Sequence, residues 1–253
     1  MKRLVPLFFI LSACGGTPLQ LNGVVLDHWG EPIEGATVQI EGKGSLTTDA
    51  DGVFDLPGET AKYSMKAGKD GYIQDHQEFE ITNLENPERP TFKLWKKPAD
   101  KGFFVVGTAD YQPIVSAPVE ILGAGTSTVQ GLKDVGKVRS EGTLQVIFHT
   151  DLKPHELAGF DLELHKLEFQ KGTTVQSVEG PKEIEVNLYV SSGKVENFAY
   201  EPLRSKNDFL LSAEGIEPGY YALNSLHLLD MKDAEKFGQI PEALRLAYPF
   251  EVK

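Results

Sequence analysis

The stretch TTDADGVFDL (Thr47–Leu56) decides the fold of the first part of this chain. Two aspartates followed by glycine read either as part of a calcium loop or as a tight turn between two strands. A calcium loop of the helix–loop–helix kind takes oxygen ligands at alternate positions, with a glutamate at the twelfth and helices on both sides. Counted from Thr47, Asp49 falls third, Asp51 fifth and Gly52 sixth, but the twelfth residue is Gly58. The flank VFDL alternates with period two, Val53 and Asp55 facing one way and Phe54 and Leu56 the other. A turn accounts for all of this: Gly52 supplies a positive φ, and aspartate side chains accept backbone N–H groups beside it. We therefore read a hairpin turn with Phe54 and Leu56 entering a core, which leaves room for a weak structural calcium at most.

Working outward, the same alternation recurs in ATVQIEG (36–42) and in KYSMKA (62–67), where Tyr63 and Met65 oppose Lys62, Ser64 and Lys66. Short alternating strands punctuated by Gly, Pro and Asp indicate a sandwich or barrel. The segments NGVVLDHWGEPIEGATVQIEG, TTDADGVFDL and AGKDGYIQ together resemble the carboxypeptidase regulatory-like domain. Shared features are a first strand ending in Asp27, a turn with Gly30 and Pro32, Gly35-Ala36 opening the second strand, and Gly71-Tyr72. The resemblance implies a transthyretin-like Greek-key sandwich with a non-catalytic accessory or interaction role. Enzymes of similar topology fit poorly. Intradiol dioxygenases bind iron through two tyrosines and two closely spaced histidines, but Tyr63, Tyr72, His28 and His76 include no His-x-His pair. Isopeptide-forming adhesin domains need a lysine on the first strand, and LNGVVLD has none. His28 and Trp29 occupy a turn that does not itself require a large aromatic; they either contact a sugar or protein partner or fold back over the sandwich end.

NLENPERPTFKLWKKPADKG (83–102) combines three prolines with mixed charges around a strand-like TFKLW. The expected layout is a regulatory-like sandwich over 19–96, a linker at 97–101 and a second domain over 102–253. The second domain carries strand patterns at 103–107, 118–122, 144–150, 160–165, 184–190, 209–213, 220–226 and 248–253. Two short stretches, MKDAEKFG (231–238) and PEALRLA (241–247), look helical. The reading is an all-β chain of two sandwiches, the second immunoglobulin-like with a short helical insertion. Gly123 to Gly142 reads as a long surface loop, and Tyr220 and Tyr221 point to opposite faces of their strand.

The densest chemistry lies in FHTDLKPHELAGFDLELHK (148–166), with His149, Asp151, His155, Glu156, Asp161, Glu163 and His165. Such a set could hold zinc or act as an acid–base pair. The alternation of Phe160, Leu162 and Leu164 with Asp161, Glu163 and His165 instead puts the polar trio on the solvent face of a half-buried strand. A metal-dependent hydrolase centred on His149, Asp151 and His165 is the enzyme alternative. No G-x-S-x-G elbow or nucleotide-binding glycine loop is present, and GAGTS (123–127) lacks the spacing and lysine of one. The reading is a non-enzyme that needs no cofactor.

The net charge of −12 and the lack of a basic run exclude a nucleic-acid surface. At the start of the chain, Lys2 and Arg3 precede the apolar run Leu4–Leu11, too short to span a bilayer. Leu11-Ser12-Ala13-Cys14 resembles the lipobox of bacterial lipoproteins, and Cys14 is the single cysteine. That resemblance implies removal of residues 1–13, acylation of Cys14 and a short tether over 14–18. Several acyl chains hold such an N-terminus on the bilayer, at about 0.8 kcal/mol per buried methylene. Gly15 in place of aspartate points to the outer membrane. The expected protein is an envelope lipoprotein, a binding or structural module for an envelope protein or polysaccharide, the latter through exposed aromatics.

Overall fold

The computed structural model describes residues 20–85, 88–124, 127–136, 138–140, 143–157, 162–177, 179–205, 207–224, 228–231, 234–239 and 245–253. Cys14, the segment before it and the tether over 14–18 lie outside the described residues, as does Asp161.

Seven strands make the first unit: β1 (Gln20–Asp27), β2 (Thr37–Ile40), β3 (Gly44–Thr47), β4 (Val53–Pro57), β5 (Ala61–Gly68), β6 (Asp75–Ile81) and β7 (Thr91–Leu94). They form two sheets, β4-β1-β7 and β3-β2-β5-β6. β1 pairs antiparallel with β4 and parallel with β7. β1, β2, β4, β5 and β7 each bury one face, and Val25, Val38, Phe54, Leu56, Tyr63, Met65, Phe92 and Leu94 meet in a single cluster. This is the packing that the alternation in VFDL and KYSMKA implies.

Asp49 organises the turn. Its Oδ1 accepts the N–H of Asp51 at 3.0 Å and of Val53 at 2.8 Å, while Gly52 N–H donates to Asp49 O at 3.0 Å. Gly52 has φ 70°. The connection is not a hairpin, however. β3 belongs to the four-stranded sheet and β4 to the three-stranded one, so Thr48–Gly52 carries the chain across the sandwich. Two anchors hold the crossing. Val25 N–H donates to Gly52 O at 2.8 Å, and the buried Thr48 hydroxyl accepts Ala36 N–H and donates to Ile33 O.

The second part contains β8 (Gly102–Val106), β9 (Tyr111–Pro113), β10 (Ala117–Pro118), β11 (Glu120–Ala124), β12 (Ser127–Gly131), β13 (Arg139–Ser140) and β14 (Leu144–His149). These are followed by α1 (Pro154–Leu157), β15 (Glu163–Ser177), β16 (Gly180–Lys194), β17 (Phe198–Pro202), β18 (Asp208–Ala213), β19 (Gly219–Asn224), α2 (Ala234–Gln239) and β20 (Leu246–Val252). A five-stranded sheet, β17-β18-β14-β8-β9, faces a six-stranded one, β10-β20-β19-β15-β16 with β13 added beside β20. Phe103, Val105, Val146, Leu164, Leu211, Tyr221, Leu223 and Phe250 fill the space between them. A separate apolar cluster covers the outer face of the six-stranded sheet, where Leu228, Leu229 and Phe237 lie on Leu167, Ala222 and Ala247. The chain is thus nearly all β, with helix confined to two short turns among the described residues. No helix of the described residues is long and apolar enough to cross a membrane.

Three further expectations need correction. The run 123–142 is not simply a loop, because Gly123 and Ala124 of β11 pair with Thr128 and Ser127 of β12. Of the strand expected at 160–165, positions 160 and 161 lie outside the described residues, and β15, from Glu163, runs on to Ser177 and pairs with β16. His165 is not on a solvent face but is 0% exposed, because Leu228, Leu229 and Phe237 roof the side of the sheet to which it points.

Candidate functional site

The aromatic residues singled out in the first unit meet the second unit in a seam. β1 ends at Asp27, whose buried carboxylate accepts the backbone N–H of Trp29 at 3.0 Å and of Glu31 at 2.9 Å through Oδ1. Asp27 Oδ2 lies 3.6 Å from Lys96 Nζ. This capped turn projects Trp29 across the junction. Its indole N–H donates to Gly107 O at 2.9 Å, and its ring meets Tyr111 edge-on at 5.1 Å between centroids. Lys96 Nζ stands 5.2 Å from the indole centroid, within cation–π range. Tyr111 reciprocates, its hydroxyl donating to Lys96 O at 2.7 Å. Beside them His28 stacks on Trp95, with centroids 3.5 Å apart and planes 18° from parallel.

Burial sets the protonation chemistry of the seam. Desolvation, helped by the Lys93 ammonium and opposed by the Asp27 carboxylate, lowers the His28 pKa. Desolvation, followed by Asp208, Asp110 and Asp27, raises that of the Tyr111 phenol. A neutral imidazole and a neutral phenol suit a stacked, half-buried seam. The segment after β7 stays fastened to the first unit, since Ile73 N–H donates to Trp95 O and Lys97 N–H to Gly71 O, each at 2.8 Å.

The histidines of the second part go to separate places. His149, on β14, pairs its Nδ1 with Oδ1 of its cross-strand neighbour Asp208 at 2.7 Å. Asp208 is fully buried and receives the Ser205 hydroxyl on its other oxygen. A serine on the carboxylate rather than on the imidazole is the wrong order for a base-activated nucleophile. Asp151 is exposed and pairs with Lys101. His165 sits on β15 of the opposite sheet. The structure therefore does not gather His149, Asp151 and His165. His165 keeps different company: Ser191 Oγ is 2.7 Å from Nδ1 and Glu163 Oε2 is 3.0 Å from Nε2. Glu163 also pairs with Lys194, and Asp230 approaches the same point. The Glu-x-His spacing on one strand was the available signal for this grouping, whereas Ser191, Asn224 and Asp230 carried none in sequence.

Tyr220 and Tyr221 divide as their alternation implies. Tyr221 is in the inter-sheet core, and Tyr220 is 38% exposed. Tyr220 joins Tyr189 and the 49%-exposed Phe169 in a row with 5.1 Å between successive ring centroids.

Residues 20–94 match the family model of the carboxypeptidase regulatory-like domain. The match covers the seven strands of the first unit and ends at β7. No curated protein matches the chain. Among solved structures, the major pilin subunit BcpA of Bacillus cereus aligns over 94% of this chain and 68% of its own, at 11% identity and a TM-score of 0.27. A variant of the same pilin aligns over the same shares at 13% identity and a TM-score of 0.28.

Proposed function

We propose that this protein is a lipid-anchored bacterial envelope lipoprotein, a non-catalytic structural and binding module in which the regulatory-like unit joins acylated Cys14 to the second β-unit. The observation that carries this reading is the seam. Trp29, Lys96 and Tyr111 are spent on fastening one unit to the other, which suits a rigid element presenting a surface away from the membrane. The lipobox-like LSAC at 11–14 supports the anchor, and the outer membrane is the expected site. Expressed in a bacterial host, the parent should fractionate with membranes and incorporate labelled palmitate, while Cys14→Ser should lose both. A Cys14→Ser protein that still partitions wholly with membranes would refute the anchoring.

The exposed row Phe169–Tyr189–Tyr220 favours a second reading, stacking against an envelope polysaccharide. Trp29 is less free for that role, because its N–H is committed to Gly107. Under this reading Tyr220→Ala with Phe169→Ala abolishes retention on insoluble envelope polysaccharide, and equal retention of parent and variant rejects it.

A further inference from the structure

Beneath the roof of the six-stranded sheet lies a cluster of polar side chains in an apolar setting. Strand alternation puts Glu163 and His165 on the outer face, and the register sets Asn224 opposite Glu163 and Ala222 opposite His165. Asn224 thus stands on the same face, one residue pair from the imidazole. It is 1% exposed, and neither its amide nitrogen nor its amide oxygen has a hydrogen-bond partner. Buried polar groups are normally paired, so an amide unpartnered at both ends marks a place built to meet something polar. Asp230 follows Leu228 and Leu229 of the roof, and its carboxylate, the Glu163 carboxylate and a His165 ring nitrogen all come within 4.8 Å of one another.

We propose that Glu163, His165 and Asp230 bind one divalent transition-metal ion, with the Asn224 amide oxygen as a further donor. One imidazole with two carboxylates suits zinc and its neighbours, whereas calcium and magnesium prefer all-oxygen sets. Binding through Nε2 requires a neutral imidazole with its proton on Nδ1. Ser191 Oγ, 2.7 Å from Nδ1, is placed to accept that proton and hold the ring in this tautomer. Lys194 pairs with Oε1 of Glu163 and leaves Oε2 on the imidazole side. The ion would clip the roof segment at Asp230 to strand β15, a structural role compatible with a non-catalytic module but independent of how the chain is anchored.

The test uses the full-length protein, stripped with EDTA, desalted and re-equilibrated separately with zinc, calcium or magnesium. Metal content and thermal midpoint are then measured. The expected result is one zinc per chain, with a midpoint raised by zinc and not by the other two ions. His165→Ala removes a fully buried side chain and could unfold the sheet, so the discriminating variants are Asp230→Asn, at an exposed position, and Ser191→Ala. Both should keep the parent circular dichroism. Ser191→Ala should weaken zinc binding about 10- to 100-fold, as loss of an orienting partner does, and Asp230→Asn at least as much. No zinc uptake by the parent, calcium bound in preference to zinc, or zinc bound equally by parent and both variants would each overturn the proposal.

Discussion

Trp29→Ala tests whether the seam holds the two units together. The substitution removes the indole N–H bond to Gly107 O, a neutral hydrogen bond with a net contribution of about 1 kcal/mol. It also removes the edge-to-face contact with Tyr111, about 0.5–1.5 kcal/mol beyond area burial. The Lys96 cation–π contact adds about 0.5–1 kcal/mol at this half-exposed position. The expected loss is therefore about 2–4 kcal/mol. Trp29→Phe keeps a ring but not the donor and should cost about 1 kcal/mol. The chain has two tryptophans: Trp29 spans the seam, and Trp95 stacks on His28 beside it. In either variant, Trp95, stacked on His28 beside the seam, is the one remaining tryptophan and reports the seam edge of the first unit during a guanidinium titration, while circular dichroism follows the sheets. The seam account expects the Trp95 transition of Trp29→Ala to move to lower denaturant and to separate from the sheet transition of the second unit. A shift worth less than about 0.5 kcal/mol, the range of an ordinary surface change, would refute it.

Three further outcomes follow from the first unit. Gly52→Ala should cost about 3–5 kcal/mol in chemical denaturation. Its φ of 70° penalises any side chain by about 1–2 kcal/mol, and an added Cβ would lie 2.5 Å from Val25 O, disrupting the bonds that dock the turn on β1. Asp49→Ala, which strips the acceptor from two N–H groups, should cost about 1–2 kcal/mol, whereas the exposed Asp51→Ala should change stability by less than about 0.5 kcal/mol. Added calcium should leave the thermal midpoint of all three proteins unchanged. Stability should also depend on pH through His28. Its folded pKa lies below the ordinary 6.5, so the unfolded chain binds the proton first, and stability falls as pH drops through that value towards the folded one. Midpoints recorded from about pH 7.5 to about pH 5 should show this slope in the parent and a shallower one in His28→Gln.

The legible part of the fold is the part whose burial is one-sided and local. Phe54 and Leu56, or Tyr63 and Met65, alternate with polar neighbours because one face of each strand meets its own sandwich core, and period two records that directly. The β15–β16 hairpin could not be seen in this way. Around Gly172, Thr173, Glu183 and Glu185 it is exposed or half-exposed on both faces, so no apolar alternation is needed and none is written. His165 misled for the opposite reason. Its alternation was read correctly, but the face was assigned to water because the residues that cover it, Leu228, Leu229 and Phe237, come some sixty to seventy positions later. Trp29 is a similar case, since its partner Gly107 is 78 residues away and offers only a backbone carbonyl, which no side-chain pattern can announce. The site chemistry was visible as residue types. Its grouping was a tertiary fact.

Asp27 shows how a local signal becomes a tertiary one. In sequence it is the polar residue that closes the first strand. In the fold it is buried, and a buried carboxylate is tolerated only where donors surround it. The N–H groups of Trp29 and Glu31 and the Lys96 ammonium provide them, and each is fixed by being used. Fixing Trp29 N–H sets the direction of the indole, and drawing Lys96 inward puts its carbonyl where Tyr111 can donate to it and its ammonium over the indole face. The compensation of one desolvated charge therefore aligns four groups from three separate stretches of chain. The turn that identifies the first unit by its pattern is also the part that couples it to the second. A partner seeking Trp29 would have to break that coupling, so a surface for partners is better sought on faces of the second unit that no such network consumes.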